Sequence, residues 1–63
     1  MAFSMRFRIE VNTLDGKLTY ERDNPADALA VAEAAKESLG VRIIDGEDNE
    51  SYAVEEFRDR FAN

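Results

Sequence analysis

Cysteine, histidine and tryptophan are absent from the 63 residues, and there are only one proline and three glycines. Without cysteine, neither a disulfide framework nor a thiolate zinc site can staple the fold, so packing or self-association must hold it. Without histidine, the Ser-His-Asp and Cys-His arrangements that activate a nucleophile are missing, as are imidazole metal sites. Lys17 and Lys36 remain as candidate bases, but Ser38 stands two residues from Lys36 in a helical segment, where such side chains do not face each other. No apolar run approaches the roughly 20 residues of a membrane span, and Met1 to Arg6 contain no signal-type apolar stretch. The expectation is a soluble, cytoplasmic protein. A chain of this length buries only about 60% of its unfolded surface. It has room for a single domain, residues 1–63, and little for a ligand cleft of roughly 300 Å³ or more.

What the chain does have is acid in one place. Asp45, Glu47, Asp48, Glu50, Glu55, Glu56 and Asp59 stand against Arg58 alone, which accounts for the whole net charge of −6. Outside this tract, seven acids (Glu10, Asp15, Glu21, Asp23, Asp27, Glu33, Glu37) balance seven bases (Arg6, Arg8, Lys17, Arg22, Lys36, Arg42, Arg60). A localised field steers partners in a way that scattered charge does not. Nucleic acids and anionic lipids draw their affinity largely from Lys and Arg, so the expected charged partners are basic proteins rather than either polyanion.

Between Phe3 and Asn12 apolar and polar residues alternate: Phe3, Met5, Phe7, Ile9 and Val11 on one face, Ser4, Arg6, Arg8, Glu10 and Asn12 on the other. This is the pattern of a half-buried strand. Asp15-Gly16 suits a type I′ turn, which would pair Leu14 with Lys17, Thr13 with Leu18 and Val11 with Tyr20 in a second strand, Lys17 to Arg22. Leu18 and Tyr20 then join the apolar face. Arg6 and Arg8, on the outer face, are placed to pair with Glu10 or Glu21.

Asn24-Pro25-Ala26-Asp27 opens a helix with a capping side chain, a proline at its first position and a carboxylate that favours the dipole. The helix is expected over Pro25 to Leu39, with Gly40 as a left-handed cap. Ala28, Val31, Ala32, Ala35 and Leu39 form its apolar stripe with Leu29 on the flank, and the small alanines predict close packing on a sheet. Glu33 and Glu37 fall on the solvent side with Ala30 and Ala34.

Val41 to Ile44 reads as a third strand with Val41 and Ile43 inward. It runs parallel to the second and lies beside the first, reached by a right-handed crossover. Glu47 to Glu50 form a turn, and Ser51 to Val54 are open between a fourth strand, with Tyr52 and Val54 inward, and the start of a helix. Val54, Phe57 and Phe61 support helix over at least Glu55 to Ala62. The fold class is therefore α+β: a small antiparallel sheet of order 2-1-3 or 2-1-3-4 on one helix, with a short helix near the carboxyl end. Phe7, Tyr20, Phe57 and Phe61 are the expected aromatic core. Phe3 and Met5 are candidates for contact with a second copy of the chain, as in a homodimer.

Asp45, Glu47, Asn49 and Glu56 meet positions 1, 3, 5 and 12 of a calcium-loop spacing. Glu50 stands where that loop needs glycine, and the incoming element is a strand, so no metal site is expected. Acid/base catalysis needs a desolvated carboxylate, which a hydrated acidic tract does not provide. Two readings of the tract stay open. It is a solvated surface in which Glu55 and Glu56 favour the first turn of the last helix, or it imitates a phosphate backbone. Carboxylates three or four apart on a helix lie about 5 to 6 Å apart, comparable with the roughly 3.4 Å rise between phosphates of one DNA strand.

In size, in the acidic segment Asp45-Gly46-Glu47-Asp48-Asn49-Glu50 and in its strand-strand-helix-strand plan, the chain resembles the anti-CRISPR proteins of phages and mobile elements. The resemblance implies a small sheet-plus-helix inhibitor whose carboxylates occupy a nucleic-acid channel. The functional expectation is a non-enzymatic acidic binding protein with no cofactor. Asp45, Glu47, Asp48, Glu50, Glu55, Glu56 and Asp59 would occupy a basic nucleic-acid-binding surface such as that of a CRISPR effector. The alternative is a structural or regulatory interaction module that uses an apolar patch or a sheet edge.

Overall fold

The computed structural model describes residues 5–35 and 38–61. The elements run β1 (Phe7–Thr13), β2 (Gly16–Arg22), α1 (Pro25–Ala34), β3 (Gly40–Asp45), β4 (Glu50–Tyr52) and α2 (Val54–Phe61). The strands form one sheet of order β2-β1-β3-β4, with every neighbouring pair antiparallel. The class is α+β, and the fourth strand is present. Phe3, Glu37 and Ala62, each assigned a role from the sequence, lie outside the described residues.

Alternation along β1 buries Phe7, Ile9 and Val11 while Arg8 and Asn12 stay exposed. Val11 pairs with Val41, Ile9 with Ile43 and Phe7 with Asp45, so the inner face of β1 continues directly into that of β3. Ala28 and Ala32 of α1 are fully buried on this surface, as the absence of bulk on that stripe requires for close approach, and Phe57 of α2 completes the core. Phe57 meets Phe7 edge-on at 5.4 Å between centroids, and Phe61 meets Phe7 at 5.6 Å.

The β1–β2 hairpin differs from the expected register by two residues. Thr13 pairs with Gly16 and Val11 with Leu18, so the loop is Leu14-Asp15 rather than Asp15-Gly16. A type I′ turn needs φ > 0 at both loop residues, and here Gly16 alone among these three has positive φ, +134°. The Thr13 hydroxyl fixes the turn, accepting from the Asp15 N–H at 3.1 Å and donating to the Gly16 carbonyl at 2.9 Å. A two-residue shift keeps every side chain on its own face. Leu18 and Tyr20 are therefore on the inner side as expected, but they stand at the sheet edge, beyond the core, and are 49% and 38% exposed. Tyr20 is not a core residue. Tyr52 takes its place, 6.0 Å from Phe57.

Asn24 caps α1 as its sequence predicts, its Oδ1 accepting from the Asp27 N–H at 2.9 Å, with Pro25 in the first turn. The helix ends at Ala34, well before Leu39. Gly40 is not a left-handed cap: it pairs with Asn12 and opens β3, while the Leu39 N–H donates to the Asn12 carbonyl at 2.9 Å. The sheet ladder therefore claims these backbone groups, and Leu39 is left 68% exposed. At the other end β4 closes at Tyr52, and Val54 begins α2 instead of extending the strand. No helix among the described residues is long and apolar enough to cross a membrane.

Candidate functional site

The seven tract carboxylates occupy three different environments. Asp45 is the inward residue that follows Val41 and Ile43 on the alternating face of β3, and it is 2% exposed. Arg6, just before β1, grips it with two hydrogen bonds, Nε to Oδ1 at 2.9 Å and Nη2 to Oδ2 at 3.0 Å. The expected pairing of Arg6 with Glu10 or Glu21 is replaced by this one, and Glu10 instead lies 3.6 Å from Lys17. The Arg6 guanidinium also sits over the Phe7 ring, 4.7 Å from its centroid, at this end of the core. The hydrogen bonds from Arg6 hold the Asp45 carboxyl below the usual carboxylate range against the opposing effect of burial, helped by the Glu47 backbone N–H. The same contact raises the Arg6 guanidinium further above its ordinary value. Asp45 is thus withdrawn from any surface a partner can touch.

Asp45, Asp48 and Glu56 also hold backbone. Asp45 Oδ1 accepts from the Glu47 N–H at 3.0 Å and Asp48 Oδ1 from the Glu50 N–H at 3.0 Å, two successive side-chain turns that shape the β3–β4 loop. Asn49 completes the reversal in the left-handed region at φ 60°, its N–H donating to the Asp45 carbonyl. Glu56 Oε1 accepts from the Ala53 N–H at 3.1 Å. Ala53 is the residue whose carbonyl takes the first helical bond, from Phe57. That is half of a capping box, with alanine supplying no reciprocal oxygen. The signals were in the sequence: Asp-Gly and Asp-Asn in a short loop, and a glutamate at the third position of the last helix.

Glu47, Glu50, Glu55 and Asp59 complete the set. Glu47 lies 3.3 Å from Arg6. Glu50 and Glu55 are exposed, and their carboxylates enter no hydrogen bond or ion pair among the described residues. At 100° per residue, Glu55, Asp59 and Glu56 fall in one outward arc of α2, with Arg58 and Arg60 on its two flanks. Arg58 reaches α1, with its Nη2 2.7 Å from Glu33 Oε2, a contact that raises its pKa and gives the outward Glu33 a structural role. Arg60 lies on the other flank, 5.9 Å from the Tyr52 ring centroid. The exposed acids are therefore Glu47, Asp48 and Glu50 on the hairpin, and Glu55, Glu56 and Asp59 together on the outer face of α2. Arg6 and Arg8 border the hairpin, Arg42 reaches Ser51 of β4, and Arg58 and Arg60 flank the acids of α2, so five arginines offset part, but not all, of the charge of the seven tract acids and Glu33. Tyr52, between the groups, ionises above its ordinary value because of burial, with Asp48, Asp45 and Glu50 opposing the phenolate and Arg60 partly offsetting them.

A groove of about 400 Å³ lies between α1 and α2, lined by Asn24, Pro25, Ala26, Leu29, Ala30, Glu33 and Phe61. It is larger than the sequence led one to expect of so small a core. Its polar groups are already engaged, Asn24 in capping α1 and Glu33 with Arg58, and the remaining walls are mostly apolar.

Comparisons with protein-family models, with curated proteins and with solved structures find no match to this chain.

Proposed function

We propose that the protein is a non-catalytic binding domain that presents its two acidic groups to a basic protein surface, of the kind that otherwise holds nucleic acid. The observation that carries this reading is the exposure of Glu47, Asp48, Glu50, Glu55, Glu56 and Asp59 on the β3–β4 hairpin and the outer face of α2, where the neighbouring arginines offset only part of the charge. Asp45 is the anchor of this surface and not a contact, because its ion pair with Arg6 fixes the root of the hairpin. A nucleic-acid channel so occupied is closed to DNA or RNA, and this is the inhibitory role that the resemblance to anti-CRISPR proteins implies.

The test uses an arginine-rich peptide as the basic probe and the variant E50K/E55K, which spares every carboxylate that holds a backbone N–H and is checked by circular dichroism for an intact fold. Wild-type affinity is expected to fall steeply between low and high salt, since contacts among exposed charges are screened within about 10 Å at 0.1 M. The variant is expected to bind on the order of tenfold more weakly at low salt. Salt-independent binding, or equal affinity of the variant, would refute the reading.

A second reading, an interaction module that uses an apolar patch or sheet edge, is favoured by one specific observation. Leu14 at 90%, Leu18 and Leu39 are exposed around the β1–β2 turn and the start of β3, at the end of the sheet opposite the acidic hairpin. Scattered exposed leucines are ordinary, but three at one end beside an open strand edge make a patch.

A further inference from the structure

The two edges of the sheet are unlike. β4 is three residues long, begins at Glu50 and runs almost at once into α2. β2 is seven residues long, has β1 as its one neighbour among the described residues, and is exposed without a break from Gly16 to Tyr20. In an antiparallel ladder every second residue of an edge strand turns its N–H and C=O away from the sheet. Such an edge is a template for another strand unless proline, a bulge or charged side chains blunt it; β2 has no proline, and its charges are Lys17 and Glu21 on the outer face and Arg22 at the far end of the inner one.

We propose that β2 pairs with β2 of a second copy, making an isologous homodimer with one continuous eight-stranded sheet. The sequence of β2 is complementary to itself in reverse. With the twofold axis at Thr19, Lys17 lies opposite Glu21 of the second copy and Glu21 opposite its Lys17. Leu18 then lies opposite Tyr20 and Thr19 opposite Thr19. Opposite charges meet on the outer face, and an aliphatic-aromatic pair meets twice on the inner face, combinations that favour antiparallel pairing. Other registers lose this. Centring on Leu18 sets Glu21 against Asp15, and centring on Tyr20 sets Leu18 against Arg22, while a one-residue slip opposes the apolar face of one copy to the polar face of the other.

The exposure of Leu18 and Tyr20, unexplained by the core of one chain, then has a cause. The axis is perpendicular to the sheet, so α1 of both copies lies on the same face. The depression of about 290 Å³ lined by Tyr20, Arg22, Val31, Ala34 and Ala35 opens beside the shared strands. Each Lys17 would stand between Glu10 of its own chain, already 3.6 Å away, and Glu21 of the other. A seven-residue edge is only about 23 Å long and buries less than the roughly 1,200 Å² of a tight complex. The dimer is accordingly weak, with Kd on the order of 10 to 100 µM. This inference is independent of the partner of the acidic surface, which lies on the other half of the molecule.

The experiment is a sedimentation series from about 5 µM to 1 mM in 150 mM salt, where repulsion between the two −6 chains is largely screened. Alongside it run K17E, E21K, the double swap K17E/E21K and L18K. Each single reversal is expected to weaken dimerisation about fivefold or more, because twofold symmetry turns two attractive pairs into two repulsive ones. The double swap is expected to return Kd to within about twofold, which a change confined to one chain would not do. L18K abolishes the dimer, and circular dichroism verifies that every variant is folded. Amide exchange on the wild type adds a measurement free of substitutions: alternate β2 amides become protected as concentration rises. A chain that stays monomeric at 1 mM overturns the proposal and leaves the edge for a strand of another protein. So does a dimer indifferent to both single reversals.

Discussion

Replacing Asp45 by asparagine tests the central claim that the first acid of the tract is structural. The side chain keeps its size, and its one remaining oxygen can still accept from Arg6 Nε and from the Glu47 N–H, now at 2.9 and 3.0 Å. Its amide nitrogen, however, is set against Arg6 Nη2, where Oδ2 now accepts at 3.0 Å, so one hydrogen bond becomes a clash of donors. Hydrogen bonds to charged groups contribute about 1.5 to 3 kcal/mol each, so Asp45→Asn is expected to cost about that much. A domain of this size holds only about 3 to 9 kcal/mol in total at the usual stability per residue. Tm should therefore fall by roughly 6 to 24 °C. The pH dependence supplies the sharper readout. The folded pKa of Asp45 is depressed, so its stabilisation is fully present above the unfolded value of about 3.9 and is lost as pH falls through the lower folded value. The gap between wild type and Asp45→Asn in urea melts should be wide at pH 7 and narrow progressively as the pH is taken below about 3.9. A gap that is absent at neutral pH, or that stays constant with acidification, would show that Asp45 is merely another solvated acid.

Two further outcomes follow from the same end of the molecule. A Cβ at Gly46 would lie 2.9 Å from the Arg6 carbonyl oxygen, which also accepts the Gly46 N–H at 2.8 Å, so Gly46→Ala must push β1 and the hairpin apart. It is expected to cost about 1 to 3 kcal/mol in a chemical melt and to move the Arg6 and Asp45 resonances; an alanine variant as stable as wild type would contradict the close approach. Phe57, fully buried against Phe7, Tyr52 and Phe61, should cost about 3 to 5 kcal/mol as alanine. That removes about a third or more of the stability of a domain this size, and a cooperative melt within a few degrees of wild type would show that α2 is not part of the core.

Local patterns carried the fold where the physics is local. The alternation of Phe7, Ile9 and Val11, the capping run from Asn24 to Asp27, the alanine stripe of α1 and the spacing of Val54, Phe57 and Phe61 each describe a periodicity or a cap that neighbouring residues fix by themselves. The hairpin register departs from the local pattern because Asp15-Gly16 looks like a complete turn, whereas the Thr13 hydroxyl and a single positive φ at Gly16 settle the turn one residue earlier. The length of α1 is not legible locally because Gly40 suits a helix end equally well as a strand start, and the ladder with Asn12 decides between them.

The acidic tract shows the same division. From the sequence came its charge, its boundaries and the near-neutrality of everything else, because charge is a property of composition. Tertiary structure sorted its members. Asp45 meets Arg6 across 39 positions of chain, and Arg58 meets Glu33 across 25. Such pairings depend on which strands become neighbours and on which flank of α2 faces α1. No local pattern encodes them, since a carboxylate has the same identity in a core ion pair, in a turn or in open water, and only the surrounding fold decides which solvent it meets.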